Sequence, residues 1–408
     1  GMSAALSLAE QGFPVPLVER EPHLGGNLRR VHIPHTRQDP QTALKGLIER
    51  VEVHPLIDIH LHSEIEETHG FMGNFETDVK TNMTERLRIK HGVTVLAIGA
   101  EEYSGSEYGY GSDERILTQT EFEMLLERGE GLPDSLVMIQ CVGPAQEYCS
   151  RICCTTALKN ALAIKSARPE AGVTILHQDI RAYGFKERLY EQARRAGVVF
   201  IRYEPESPPE VDAGDQLRIT CVDSALRMPI ELKPDRLVLS MPVVPRADAR
   251  RMAAMFKVPL DAQGFFLEAH VKLRPVDFST EGVFMAGMAH YPKLLDESMI
   301  QARAAASRAA RVLSQETLSA GGRVAVVDPE KCTGCLTCVR ICPFEVPRVR
   351  SDIAGVGGLN GAAEIEISVC QGCGSCVAEC PANAIQLRHY TDAQLQSKVS
   401  ALMRCAVA

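Results

Sequence analysis

Small and apolar residues fill Met2 to Ala9 at helical spacing, and Gly12 breaks the run. Pro14-Val15-Pro16-Leu17-Val18 then reads as a strand that ends on the acidic Glu19. Ala43 to Arg50 forms a second helical pattern. A series of short strands follows and closes with Val93, Val95, Ala97 and Ile98 before Gly99 and Ala100. Glu121 to Arg128 has the look of a surface helix. Beyond it come an apolar strand (Leu136 to Gln140), a helix (Thr155 to Ala167) and two strands, Val173 to His177 and Val198 to Tyr203. That alternation predicts a parallel, doubly wound sheet. Met241-Pro242-Val243-Val244-Pro245 closes this unit. Asp261 to Leu267 and Lys272 read as short strands, and Val283 to Gly287 as a buried strand stopping at a glycine. An Ala-rich helix, Ser298 to Leu313, leads to Gly321-Gly322, which marks a linker into a last module beginning at Val324. The pattern divides the chain at 1–134, 135–240, 241–320, 321–392 and a tail, 393–408.

Composition narrows the possibilities. A length of 408 residues is enough for about two to four domains. The formal charge of -8, with no Lys/Arg-rich run, argues against a nucleic-acid partner. No apolar run approaches the roughly 18 residues of a membrane span, and no signal peptide is expected.

The last module carries the chemistry. Cys332, Cys335, Cys338 and Cys342 precede Pro343, and Cys370, Cys373, Cys376 and Cys380 precede Pro381, the second run starting 38 residues after the first. This is C-x2-C-x2-C-x3-C-P written twice, the spacing that holds two 4Fe-4S clusters. In that arrangement the fourth cysteine of each run crosses to the other cluster. Cys332, Cys335, Cys338 and Cys380 would hold one, and Cys370, Cys373, Cys376 and Cys342 the second. Paired zinc knots are the alternative, but zinc requires neither the third cysteine at short spacing nor the proline. Cluster ligands are free thiolates, so eight of the fourteen cysteines imply a reducing compartment, and a cytoplasmic location is expected.

The start of the chain resembles part of a dinucleotide-binding βαβ unit. Gly1 would be the last glycine of G-x-G-x-x-G, with Glu19 about 20 residues on, placed for a ribose hydroxyl, and the first strand and glycines missing. Gly25-Gly26-Asn27, after Glu19-Arg20-Glu21, suits a turn near a pyrophosphate or isoalloxazine. His60 and His62 alternate on one strand; without a carboxylate or cysteine at ligand spacing, they read as solvated strand positions.

In the 135–240 unit a nucleotide reductase would place its glycine-rich phosphate loop after the first strand. Here that turn is Cys141-Val142-Gly143-Pro144, with Cys149, Cys153 and Cys154 following. Direct NAD(P)H binding is therefore not expected. The four cysteines by themselves fit small buried residues, a redox-active thiol or disulfide at a helix N-terminus, or a further cluster.

The run Cys141 to Asn160, the segments Asp179 to Arg188, His91 to Tyr103 and Gly287 to Arg308, and the doubled cysteine motif together resemble the A-type subunit of heterodisulfide reductase. The resemblance covers nearly the whole chain. It implies an α/β, thioredoxin-reductase-like, two-dinucleotide-domain flavoprotein with doubly wound sheets in three layers, carrying FAD, plus a C-terminal α+β two-cluster ferredoxin domain. On it, the stretches 1–134 and 241–320 form the FAD-binding domain, and Cys141, Cys149, Cys153 and Cys154 ligate a third 4Fe-4S cluster. The Cys141–Cys149 interval is shorter than the family's usual one. Members often carry an N-terminal domain, which is not expected here, and residues 60–90 lack the cysteines of a further ferredoxin insertion. Gly99, Gly287, Arg20, Asp296 and Glu297 join Gly1, Glu19, Gly25, Gly26 and Asn27 as FAD-side positions, Met288 standing where related reductases keep an aspartate. Lys293 would either sit near the isoalloxazine and stabilise an anionic flavin or, more plainly, be a solvated loop lysine.

A flavin takes two electrons and releases them singly, and clusters carry single electrons. The resemblance implies a complex with other heterodisulfide reductase-like subunits, a hydrogenase or formate dehydrogenase as electron input, and ferredoxin, assembled as a homodimer of heteromers, with flavin-based bifurcation. Competing readings are a component of a quinone-interacting complex, an NAD(P)H-dependent reductase such as the small chain of glutamate synthase, and a non-catalytic electron-transfer scaffold.

Overall fold

The structure, a computed structural model, describes residues 1–36, 38–82, 84–129, 131–318 and 322–405. Gly321 of the expected linker lies outside the described residues. The described residues form two α/β bodies and a cysteine-rich domain.

The first body is assembled from both ends of its sequence. The helix Met2–Ala9 precedes the strand Val15–Val18, which pairs in parallel with Ile57–His60. Thr94–Leu96 pairs in parallel with Val283–Met285, so the chain returns here after its excursion through the second body. The helix Leu295–Leu313 seals that return. Its Ala302, Ala305, Ala306 and Ala309 pack on Ala4, Leu8, Phe284 and Ala286, and side chains this small let the backbones come close. The segment between residues 63 and 91 is an antiparallel three-stranded sheet against this body. His60 sits beside Asp58 at 3.1 Å, and His62 leaves the strand at φ 48°, so the two do not share a strand face. Asp261 to Leu267 and Lys272 do not form strands. The Asp261 carboxylate accepts the N–H groups of Gln263 and Phe265, closing a turn, and only the bridges Leu260–Phe266 and His270–Arg274 remain.

The second body is a five-stranded, all-parallel sheet in the order Val199–Arg202, Gly172–His177, Ser135–Ile139, Arg236–Leu239, Ile116–Thr118. Leu136, Val137, Met138 and Ile139 are buried on both faces, as a central parallel strand requires. The helix Cys153–Ala167 covers one face, and an antiparallel sheet within residues 210–232 covers the other. The sequence pattern did not reveal that second layer, nor that Ile116–Thr118 joins this sheet. The strand order reverses at Ser135–Ile139, so its carboxyl end is a topological switch point, the place where open α/β sheets bind ligands. Cys141 lies just beyond it.

In the last domain Ala325–Val327 pairs with Ile385–Leu387, and Pro347–Ala354 with Asn360–Ile365, both antiparallel. The short helices Thr337–Ile341 and Ser375–Ala378 lie between. The tail forms the helix Asp392–Cys405. Among the described residues no helix is long and apolar enough to cross a membrane.

Candidate redox centres

The doubled cysteine run folds into two matching halves. Cys332, Cys335, Cys338 and Cys380 line one small cavity of about 20 Å³, together with Val349, Ala363 and Ile385. Three cysteines come from the first run and one from the second. Around the other set, the Cys376 thiol is pushed up to about 12, first by burial and then by the nearby Cys370, Cys342, Cys373 and Cys338. The halves repeat each other's hydrogen bonds. Ala363 N–H reaches Cys332 Sγ at 3.3 Å, as Ala325 N–H reaches Cys370 Sγ at 3.4 Å. Val346 N–H lies 3.5 Å from Cys342 Sγ, and Ala384 N–H 3.3 Å from Cys380 Sγ. The Thr337 hydroxyl sits 3.4 Å from Cys335 Sγ and lowers its thiol, and Ser375 stands 3.5 Å from Cys373. Amide donors aimed at sulfur stabilise thiolates and raise the potential of a cluster they hold. A soft, all-thiolate donor set among apolar neighbours suits a 4Fe-4S cluster in each half.

The middle cysteines occupy the switch point. Cys141 takes φ 61° directly after the central strand, and Gly143 takes φ 54°. A Cβ on Gly143 would meet Tyr103 Cε1 at 2.7 Å and Glu107 Oε1 at 2.8 Å, and Tyr103 donates to Glu107 across 2.8 Å. Protein thus fills the turn where a pyrophosphate would lie. The following helix opens late, at Cys153, with no side-chain cap, so its unpaired N–H groups and positive dipole end face Cys153 and Cys154. Burial pushes the Cys141 thiol up to about 11, with Cys154 and Cys149 adding to it. Cys153 is driven up further by burial, then by Cys154, Cys149 and Cys141. Four thiols within electrostatic reach of one another at a helix N-terminus suit an anionic cluster in their chemistry, while among the described residues no three metal-ligating side chains are already drawn together at ligand distance. Cys149 alone of the four is exposed, opening onto a cavity lined by Arg151, Arg181 and Tyr183.

On the flavin side, Gly26, Gly99 and Gly287 all have positive φ, at 50°, 77° and 75°, and a Cβ on any of them would meet nothing within 4 Å. Bare backbone bordering open space at three turns is what a flavin's phosphates and ring need for close approach. Gly25 is tighter, since a Cβ there would meet Arg29 Cγ at 2.9 Å. Asn27 Nδ2 donates to Ala100 O at 2.8 Å and ties two of these turns together. Glu19 follows the strand Val15–Val18, lies within electrostatic reach of the Gly1 amine, and accepts Glu21 N–H at 3.0 Å. Arg20 is paired with Asp248 at 3.3 Å. Asp296 lies 3.4 Å from His35, while Glu297 accepts Leu294 N–H at 3.0 Å and meets Arg151 at 2.8 Å. These contacts give both carboxylates protein partners.

Lys293 is not a solvated loop lysine. Its side chain is 6% exposed, and Nζ lies 3.2 Å from the Tyr291 ring centroid and 3.4 Å from His290 Nδ1. Burial, and then Arg151, lowers its amine from the ordinary lysine value to about 7. Several polar groups around it had no signal in the sequence. His290 Nε2 lies 2.8 Å from Glu268, Gln301 donates to His290 Nδ1 at 2.7 Å, and Gln301 Oε1 accepts Gly287 N–H at 2.8 Å. Arg151, two residues from Cys149, stacks 5.0 Å from the same Tyr291 ring and so links the middle cysteines to this cluster. Lys159 Nζ pairs with both Glu123 oxygens and donates to Ile33 O at 2.8 Å, and Glu123 accepts the His32 and Ile33 N–H groups. These partners come from distant segments, which no short spacing in the sequence could show.

Residues 325–394 match the 4Fe-4S dicluster domain family. The first A-type iron-sulfur subunit of the CoB–CoM heterodisulfide reductase of Methanopyrus kandleri is 32% identical, the match covering 99% of this chain and 75% of that protein. The corresponding iron-sulfur protein of Methanocaldococcus jannaschii is 30% identical, with 99% and 76% covered. Among solved structures, thioredoxin reductase of Lactococcus lactis superposes with a TM-score of 0.54 at 16% identity, over 77% of this chain and 96% of that one. Thioredoxin reductase of T. acidophilum gives 0.52 at 15%, over 77% and 93%. These likenesses show a thioredoxin-reductase-like α/β fold, which here carries a C-terminal dicluster ferredoxin domain. With relatives of this similarity along almost its whole length, the chain belongs to the A-type iron-sulfur subunits of heterodisulfide reductase, a family of oxidoreductases.

Proposed function

We propose that the chain is the FAD-carrying electron-transfer component of a heterodisulfide reductase-like complex. It would turn the oxidation of a two-electron donor into one-electron transfers. One observation carries this above the others: Cys141, Cys149, Cys153 and Cys154 gather at the switch point where a nucleotide reductase keeps its phosphate loop. The packing of Tyr103 on Gly143 closes that turn to a pyrophosphate. Electrons would therefore enter through a cysteine-held cluster on a partner-facing surface rather than from bound NAD(P)H. FAD, when bound, supplies the change between two-electron and one-electron chemistry. Toward it, Gly26, Gly99 and Gly287 offer backbone, and Lys293 offers a cation close to losing its proton.

Three 4Fe-4S clusters follow from the cysteine sets: Cys332, Cys335, Cys338 and Cys380; Cys370, Cys373, Cys376 and Cys342; and the four at the switch point. Other heterodisulfide reductase-like subunits, a hydrogenase or formate dehydrogenase, and ferredoxin are the partners of this reading, with bifurcation as its furthest extension.

Anaerobic reconstitution with flavin extraction and iron and sulfide counting tests it. About twelve irons with one FAD is the expected result. About eight would remove the switch-point cluster, and absent flavin would favour a scaffold. Rapid bleaching of the flavin by NADH alone would overturn the exclusion of pyridine nucleotides.

A further inference from the structure

The last rung of the parallel sheet, beneath the switch point, is polar. The ladder runs one residue past the central strand, since Gln140 N–H bonds Leu176 O and Ser240 N–H bonds Ile139 O, both at 2.9 Å. In the register of the three strands, His177 and Ser240 therefore flank Gln140. Side chains alternate between the faces of a strand. Met138 shares a core with Ala157, Leu158 and Ala161 of the helix Cys153–Ala167, so Gln140, two residues on, faces that helix too.

Gln140 is 0% exposed, and neither its amide nitrogen nor its amide oxygen has a partner among the described residues. On the Ser240 side the polar groups engage one another. Gln119 Nε2 reaches Ser240 Oγ at 3.2 Å and Met138 Sδ at 3.5 Å, and Asn160 Nδ2 donates to Gln119 Oε1 at 2.9 Å. The Gln140 carbonyl is also taken, by the Tyr203 hydroxyl at 2.7 Å. On the other side His177 Nδ1 has no partner either, and burial favours its neutral ring. Native proteins leave few buried amides with all of their side-chain capacity unused, and each one needs a reason.

The cysteines close over this rung. Cys153 Sγ lies 3.8 Å from Met241 O, the residue after Ser240, and Cys154 Sγ lies 3.7 Å from Asp179 O, two residues past His177. Cys141 follows Gln140 itself. The helix start thus bridges the two flanking strands above the end of the central one, where the unused amide is.

We infer that Gln140 is a positioning residue for the switch-point site: its carboxamide N–H donates to sulfur of the group held by Cys141, Cys149, Cys153 and Cys154, and so favours the reduced form. This rests on the reading that these cysteines hold a 4Fe-4S cluster. Sulfurs of such a site accept hydrogen bonds, and a one-electron reduction adds one negative charge with no bond made or broken. An amide fixed by the sheet offsets that charge.

The test is an EPR-monitored redox titration of reconstituted chains carrying Q140L, which keeps about the same side-chain volume, or S240A, whose hydroxyl already has a partner. Q140L is expected to keep about twelve irons. Its switch-point cluster should shift about three- to tenfold toward the oxidised form at a fixed potential, a midpoint about 30–60 mV lower, with the ferredoxin-domain midpoints at parent values. S240A should keep the parent midpoint, and an equal shift there would reveal a packing effect and overturn the assignment. Stability gives a second reading. In a C149A background, which lacks the switch-point cluster and keeps the ferredoxin pair, the amide stays unpaired, so Q140L should strengthen protection of the Ser135–Ile139 amides against hydrogen exchange. In the loaded chain that gain should vanish. An amide satisfied by an internal water would give the same change in both backgrounds, and that result would also overturn the role. A parent chain with about eight irons would strike the reading of the switch-point cluster itself, whereas about twelve irons with an unmoved midpoint in Q140L would strike only the role of Gln140.

Discussion

Lys159 Nζ lies 2.7 Å from both carboxylate oxygens of Glu123, and the two side chains are 6% and 3% exposed. Burial lowers the Lys159 amine, and Glu123 opposes the shift. Because Glu123 also accepts two N–H groups and Lys159 reaches Ile33 O, the pair bolts the loop at residues 32–33 onto the second body.

Breaking one side of such a pair leaves a buried charge without a partner. K159M or E123Q alone is therefore expected to cost about 3–5 kcal/mol, read from the urea midpoint, while K159M/E123L together should cost clearly less than either. A double variant as unstable as the singles would mean that the hydrogen bonds to residues 32–33, not the charges, dominate.

The glycines of the two cysteine runs differ in what they tolerate. A Cβ on Gly334 would meet Gly361 O at 2.5 Å, and one on Gly372 would meet Arg323 O at 2.1 Å. Those obstacles are backbone and cannot yield. Gly374 has φ 81° but open space, and Leu336 holds the matching place in the first run at φ 64°. G334A and G372A should each lose about four irons per chain on reconstitution, whereas G374A should retain them at a stability cost near 1 kcal/mol.

The sequence made the clusters legible because their ligands sit at fixed short spacings, and it made the parallel sheet legible because apolar strands alternate with helices. It showed the replacement of the phosphate loop for the same reason, since the turn is local. The packing of Tyr103 on Gly143, which closes that turn, joins segments 40 residues apart and has no pattern to reveal it. The antiparallel layer at 210–232 was missed because its outer strand Glu210–Ala213 is short, polar and mostly exposed, although Leu217, Ile219 and Cys221 alternate inward on the central strand. Lys293 looked like a loop lysine because a charged residue beside Pro292 gives no hint of the burial supplied by Tyr291, His290 and Arg151. Tyr291 and His290 are sequence neighbours, but only the tertiary fold brings Arg151 and the burial to the amine.

Lys293 should leave its mark on the pH dependence of stability. Its amine sits at about 7 in the folded chain, against 10.5 for an ordinary lysine. Between these values the unfolded chain binds the extra proton, so stability rises with pH across that window and is flat below it as far as this group is concerned. K293M removes the group, and the slope of unfolding free energy between pH 7 and 10 should fall relative to the parent by up to about 1.4 kcal/mol per pH unit. Equal slopes in parent and variant would show that Lys293 keeps its proton in the folded chain.

The switch-point cysteines give the sharpest division between a cluster and a set of packing thiols. Cys149 is exposed, so C149A removes almost no buried surface, and as a packing residue it would be neutral within about 0.5 kcal/mol. As a ligand it is indispensable in a four-cysteine site. C149A is expected to lose about four irons from a total of about twelve, leaving the ferredoxin-domain signal intact. C153S, buried at the helix start, should lose the same four and destabilise the chain as well, because it places a hydroxyl where the environment is dry. A C149A protein with its full iron content would return the middle cysteines to the role of small residues filling the turn.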